Sequence, residues 1–229
     1  MRERGLKVTG VVLLVALMPL CVRAASVSVF SSEPRVANQT RIYHSPLGFD
    51  IVLPDHWVIV RQTFLQSRFV EDDRKVYGIE GMLGTAWNDA VKMVHDGNTE
   101  VFLNRKTADT YFVDRINAIT YEAKPLSGES GIELFCEGFK QNLSLMYKEA
   151  TSIQQCKYKE IAGVEAVYLV FDDPYGRVTN IQYQIPGPRN SILIVTATCK
   201  KERFDSISNE FDEIIRTLKP TSSRNRPRP

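Results

Sequence analysis

Three histidines and four cysteines have the widest chemical reach in this 229-residue chain. His44, His56 and His95 fall in three different predicted elements. No HxxxH or HExxH spacing joins them, so a zinc site would need assembly over long range. His56, at a turn between Asp55 and Trp57, reads as a surface residue. No cysteine pair has CxxC spacing, so neither a zinc ribbon nor a thioredoxin-type redox centre is indicated. A reactive thiolate needs an electropositive setting, and no histidine lies near Cys136, Cys156 or Cys199 in sequence. The expectation for these cysteines is therefore structural.

Other motifs reduce to local structure. Gly128-Glu129-Ser130-Gly131 lacks the GxSxG spacing of a nucleophile elbow, and Ser130 serves better as a helix cap, with Glu133 completing a capping box. Asp172-Asp173-Pro174-Tyr175-Gly176 lacks the alternating ligands and distal glutamate of a calcium loop and reads as a hairpin tip. Glu71-Asp72-Asp73-Arg74-Lys75 is a solvated charge run. Neither GxxxxGK[ST] nor GxGxxG occurs, so nucleotide binding lacks a signal. No catalytic, cofactor-binding or metal-ligating residue is nominated.

The chain begins as an exported protein would. Arg2, Arg4 and Lys7 precede an apolar run from Gly10 to Val22, which reaches only about 20 Å as a helix, short of a bilayer core of about 30 Å. Val22 and Ala24 are the small residues of a signal-peptidase site, which predicts cleavage between Ala24 and Ala25. Leu20, before Cys21, is too large for a lipobox. No later segment approaches the length of a membrane span, so the expectation is a periplasmic or secreted protein.

Removing residues 1–24 takes the chain from 29 basic and 27 acidic residues to 25 and 26, a net charge of −1. Four of those bases, Lys219, Arg224, Arg226 and Arg228, lie at the C-terminus, and the body before them carries −5. A nucleic-acid-binding body is not supported. The Pro-rich tail, 220–229, is expected to be disordered. Its Arg224, Arg226 and Arg228 either act as solvated spacer or touch an anionic envelope surface, at on the order of 1 kcal/mol each.

The elements that position these residues follow from periodicity. Residues 25–40 form a polar lead-in. Phe49, Ile51 and Leu53 alternate with Asp50 and Val52, a strand with one buried face, and a second strand starts near His56. Trp87, Val91 and Val94 share a helical face, and residues 98–103 read as a short strand. Residues 115–122 alternate again. Ile132, Phe135, Phe139, Leu143 and Met146 make the buried stripe of a helix opening at Ser130. Strands over 153–159, 165–171, 179–185 and 191–198, joined by short turns, make an antiparallel meander. Phe204, Ile207, Phe211, Ile214 and Leu218, spaced 3, 4, 3 and 4, define a last amphipathic helix. The class is α+β, an antiparallel sheet flanked by helices.

In an oxidising compartment two of the three remaining cysteines should pair. If the first helix ends near Tyr147, Cys136 lies about 17 Å back along it at helical rise. Cys156 lies about 17 Å along the returning strand. The two come level, which favours Cys136–Cys156 over the other pairing weighed, Cys156–Cys199.

Gly48 to Trp57 (GFDIVLPDHW) resembles the opening of the PsbP-like family, in which a Gly-Phe strand runs to a proline and then a tryptophan. Ile161 to Ala166 (IAGVEA) resembles that family's turn before its central hairpin, and Ile192 to Leu218 its closing strand and helix. The resemblance implies a PsbP-like α/β/α sandwich over residues 41–219, with an insertion at about 66–104. The family includes PsbP subunits of photosystem II, a Ran-binding import factor and many exported bacterial proteins, mostly adaptors and binding proteins. It implies an exported, non-catalytic accessory or binding protein of the envelope, with an envelope protein partner. The alternative is an exported, hydrolase-like enzyme whose site gathers residues distant in sequence.

Overall fold

The computed structural model describes residues 40–60, 92–94, 99–109, 111–147, 152–188 and 190–221. The expected signal peptide, most of the expected lead-in and insertion, including Trp87 and Val91 of the helix expected there, and the tail arginines lie outside the described residues.

Strands β1 (Arg41–Ser45) and β2 (Phe49–Leu53) form an antiparallel hairpin. Phe49, Ile51 and Leu53 are buried on β2, as their alternation predicts. β3 (Trp57–Val60), β4 (Thr99–Asn104) and β5 (Arg115–Glu122) follow, and β5 has the bounds its pattern gave. Next come helix α1 (Glu129–Tyr147), the meander β6 (Ile153–Ile161), β7 (Val164–Asp172), β8 (Val178–Gly187) and β9 (Ser191–Lys200), and helix α2 (Phe204–Arg216). The two-residue strand β10 (Lys219–Pro220) pairs with the free side of β2.

Seven strands make one antiparallel sheet in the order β3-β4-β5-β9-β8-β7-β6. Closing β5 onto β9 places α1 and three strands between neighbours, so β5 and β9 pair across about seventy intervening residues. The turn from β6 to β7 holds Ala162 at φ 51° and Gly163 at φ 79°. Two left-handed residues match the right-handed twist of the hairpin, and glycine takes the second without strain.

Each face of the sheet has its own cover. On one face, residues such as Phe102, Ile116, Tyr168, Ile181, Tyr183 and Val195 join β2 and the apolar stripe of α2 in the main core. Ile207, Phe211, Ile214 and Ile215 are buried, and Leu218 just past the helix is buried with them. The opposite face carries two smaller clusters. Val58, Val60, Val101 and Leu103 pack with Val94 and Val113 at one side. Phe139 and Leu143 of α1 pack on Val167 and Leu169 at the other. Between them the sheet turns polar: Asn117, Thr196 and Gln182 stand level on β5, β9 and β8. Asn117 Oδ1 is buried there with no hydrogen-bond partner.

Cys136 and Cys156 form the disulfide that ties α1 to β6, with Cα atoms 5.9 Å apart. Cys199 is a buried free thiol. Ser130 lies inside the first turn of α1, because Gly128, at φ 79°, already supplies the carbonyl that Gly131 and Ile132 bond to.

Candidate functional site

The polar chemistry of the molecule gathers at one end of the seven-stranded sheet. Four connections meet there: the β2–β3 turn, the β4–β5 loop (residues 105–114), the β7–β8 tip and the β9–α2 link (residues 201–203).

The tip is built by Asp173. Its Oδ1 accepts the backbone N–H groups of Arg177 (2.6 Å) and Val178 (2.8 Å), which closes the turn the sequence predicts. The β4–β5 loop is built the same way. Asp109 Oδ1 accepts from the N–H groups of Tyr111 (2.9 Å) and Phe112 (2.8 Å).

Ion pairs lock these loops to the β9–α2 link. Lys200 Nζ donates to Asp109 Oδ2 at 2.6 Å, and Lys201 Nζ to Asp172 Oδ2 at 2.8 Å. Arg203 forks onto both oxygens of Asp114, at 2.7 and 3.1 Å, and its guanidinium lies 5.9 Å from the Phe112 ring centre. The Lys201 backbone N–H donates to the Arg177 carbonyl at 2.9 Å.

These pairs have a direction. The Asp114 and Asp172 side chains are only 1% and 6% exposed, whereas Arg203 and Lys201 opposite them are 26% and 54% exposed. Carboxylates point in and cations point out. Burial pushes Asp172 up, but hydrogen bonds from Lys201, Thr179 and Gln154 outweigh it, and the acid ends below its ordinary value. The Lys200 ammonium is the main reason Asp109 lies below its ordinary value, and its backbone donors outweigh the opposing effect of burial with it. Beneath them Cys199 is fully buried. Burial pushes its thiol up to about 12, with the Asp114 and Asp172 carboxylates adding to the effect.

His56 departs from the sequence expectation. It is 9% exposed, not a surface residue. Its Nε2 meets Glu210 Oε1 at 2.5 Å, and Trp57 Nε1 donates to the same oxygen at 2.8 Å. The Arg105 N–H donates to the His56 carbonyl at 3.0 Å. The His56 imidazole therefore clamps α2 to the β2–β3 turn, and its backbone carbonyl ties the turn to the β4–β5 loop.

Two large aromatic side chains remain on this end. Tyr111 is 81% exposed and Tyr175 71% exposed. The Arg177 guanidinium sits 4.9 Å from the Tyr175 ring centre, a cation–π contact at the surface. Lys106, Arg177 and Lys201 are exposed cations. Such an end offers hydrogen-bonding aromatics and outward charge on a braced frame, which suits recognition.

A second polar knot lies under α2. Asp212 accepts from Tyr183 OH at 2.6 Å and from Lys159 Nζ at 2.7 Å, and the ammonium sits 4.5 Å from the Tyr168 ring centre. Burial raises the Tyr168 hydroxyl to about 12, and burial and Asp212 together raise Tyr183 further. This knot joins β6, β8 and α2 in the core.

Arg224, Arg226 and Arg228 lie outside the described residues. Among the described residues no group of three or more His, Cys, Asp or Glu side chains is placed to hold a metal ion, and no helix is long and apolar enough to cross a membrane. Sequence reading missed His56–Glu210 and Asp114–Arg203, whose partners lie 154 and 89 residues apart. It singled out Asp172 to Gly176 for its turn chemistry and passed over the exposed ring of Tyr175.

Comparison with solved structures places the fold. The chain is similar to the cyanobacterial PsbP protein CyanoP of Synechocystis sp. PCC 6803, at 11% identity and TM-score 0.52 over 81% of this chain and 94% of that one. It also aligns with the Ran-binding protein Mog1p of Saccharomyces cerevisiae, at 10% identity and TM-score 0.45 over 82% of this chain and 98% of that one. No family model and no curated protein matches the sequence. The architecture is α+β and PsbP-like, as the Gly48–Trp57 and Ile161–Ala166 motifs imply.

Proposed function

We propose that this chain is an exported, non-catalytic accessory or binding protein of the cell envelope that engages a protein partner through the loop end. The observation that carries the reading is the braced cluster of loops, which presents Tyr111, Tyr175 and outward cations over buried carboxylates. Export rests on the basic, apolar and small-residue order of residues 1–24 and agrees with a disulfide, which persists in oxidising compartments. The tail arginines Arg224, Arg226 and Arg228 add a peripheral contact with anionic envelope surfaces. Favouring recognition over hydrolysis, the His56 ring is nearly buried and both its nitrogens face the protein's own carboxylates, Nε2 on Glu210 and Nδ1 3.6 Å from Asp55, so neither is turned to a substrate.

The test is in-cell formaldehyde crosslinking of the tagged protein, with mass spectrometry of the recovered chain and its companions. The reading expects a mature chain starting at Ala25 and one dominant envelope partner, with crosslinked peptides covering residues 105–112 and 172–178. Recovery of the protein alone, or of a chain retaining residues 1–24 in the cytoplasm, contradicts it.

A further inference from the structure

We propose that the loop end recognises an acidic segment of its protein partner, its cations holding carboxylates and its tyrosines gripping the adjoining backbone. The inference rests on the binding reading above and adds the chemistry of the partner.

The argument is one of accounting for charge. Asp109, Asp114 and Asp172 are paired internally with Lys200, Arg203 and Lys201, and Asp173 of the tip turns one oxygen to the backbone. Asp173 Oδ1 is taken up by two backbone N–H groups, and Asp109 uses both oxygens on backbone and Lys200. Asp172 is held by Thr179, Gln154 and Lys201, and Asp114 by Arg203. An inward carboxylate needs only the near side of its cation. The far side of Lys201, more than half exposed, still has donors to offer. The Arg177 guanidinium sits 4.9 Å from the Tyr175 ring centre, and its planar fork can take a carboxylate in bidentate fashion without giving up the ring. Lys106 adds a third exposed cation from the short 3-10 turn Arg105–Thr107.

The aromatic side chains argue for protein over lipid. Tyr111 and Tyr175 are large and amphipathic and lose little conformational freedom on binding, as suits contact with a polypeptide. Among the described residues this end offers a bilayer one exposed large aliphatic side chain, Ile42 of β1, opposite Val52 just before the β2–β3 turn; the exposed Leu134 and Leu145 belong to α1. The exposed acids Glu202, in the β9–α2 link, and Asp205, at the start of α2, would oppose a flat anionic surface, whereas a narrow segment can run past them.

The test uses purified mature protein, a short fluorescein-labelled polyglutamate peptide, a polyglutamine control and phosphatidylglycerol vesicles. Fluorescence anisotropy should show polyglutamate binding that weakens as salt rises, with no polyglutamine binding. Replacing two cations that brace no acid among the described residues, in Lys106→Gln with Arg177→Gln, should weaken binding about five- to tenfold, or about 1–1.4 kcal/mol for the two exposed pairs together. Tyr175→Ala should weaken it further, and a matching far-ultraviolet spectrum will show that each variant is folded. Failure of polyglutamate to bind, or binding indifferent to these changes, overturns the inference. So does binding of vesicles with the same salt and variant dependence in place of the peptide. A partner crosslinked at residues 172–178 alongside any of those results leaves the binding reading standing and removes only the acidic segment.

Discussion

Helices α1 and α2 cover opposite faces of one sheet and are held in different ways. α2 has thirteen residues and buries four side chains, at spacings that keep them on one stripe. α1 has nineteen, and of its described side chains only Phe139 and Leu143 are buried, while Leu134 and Leu145 stand out in solvent. α2 is part of the main core and reaches the loop end and the β6 edge through Glu210 and Asp212. α1 sits on a small satellite cluster and is fastened by Cys136–Cys156. The difference shows two solutions to one problem. Where apolar area is large, packing fixes the helix, with the bonds of Glu210 and Asp212 added at its edges. Where it is small, a covalent clip replaces it. It also explains why the candidate site lies where it does. The β9–α2 link and the loops bound to it inherit the rigidity of the main core.

The largest expected effect sets one phenylalanine against another. Phe211→Ala should cost about 3–5 kcal/mol in urea unfolding, since the ring is fully buried and 5.8 Å from that of Tyr183. Phe139→Ala should cost clearly less, because neighbours at the edge of the sheet can relax toward the gap. Equal costs would erase the distinction between the two faces.

Next is the clip itself. Cys136→Ser with Cys156→Ser should lower stability by about 3 kcal/mol, the chain-entropy value for a loop of this length. Hydrogen exchange should rise across residues 129–145 and stay unchanged across 204–216. Uniform loosening of both helices would show that α1 is as much a part of the core as α2.

Asp212→Asn should cost about 1–3 kcal/mol, because it removes the charge partner of Lys159 and weakens the bond from the buried Tyr183 hydroxyl. Glu137→Gln on α1, whose side chain meets only Gln141 at the surface, should fall within about 0.5 kcal/mol of the parent. Both belong in the same chemical-denaturation series.

The loop end should also show itself in titration. Asp109 and Asp172 lie below their ordinary values in the folded chain. A lowered carboxylate stabilises the fold fully above its unfolded value and loses that contribution as pH falls through the folded one. Bracing of the loop end should therefore persist down to about pH 4 and fade below it, read as carboxyl chemical shifts by NMR. Lys201→Gln should move the Asp172 midpoint upward, because burial then meets less opposition. An unmoved midpoint would mean that the ion pair does not form in solution. The smallest effect is chemical: Cys199 should resist alkylation in the native state and react once unfolded, because its thiol is buried and pushed up to about 12.

The sequence carried the local order well and the lateral order poorly. The strand over Arg115–Glu122 and the final helix stand out because one face of each is apolar at a fixed period. The pairing of Cys136 with Cys156 follows from rise per residue along a helix and the strand that returns beside it. Periodicity is silent on which strands become neighbours, so the place of β4 between β3 and β5, and the small sheet β1-β2-β10, were not legible. The site is harder still. Asp114, Arg203, His56 and Glu210 look ordinary in their own segments and acquire meaning only when the sheet brings chain ends together. The proline-aspartate turn beside His56 predicts exposure, yet α2 arrives from 154 residues away to cover it.

The most direct test of the account is position-specific photocrosslinking in cells. A photoreactive residue replaces Tyr175 at the loop end in one strain and Leu145 on α1 in another, both exposed sites. The account predicts one discrete partner band at position 175 and none at 145. The same band at 145 alone would move the binding face to α1 and contradict the account.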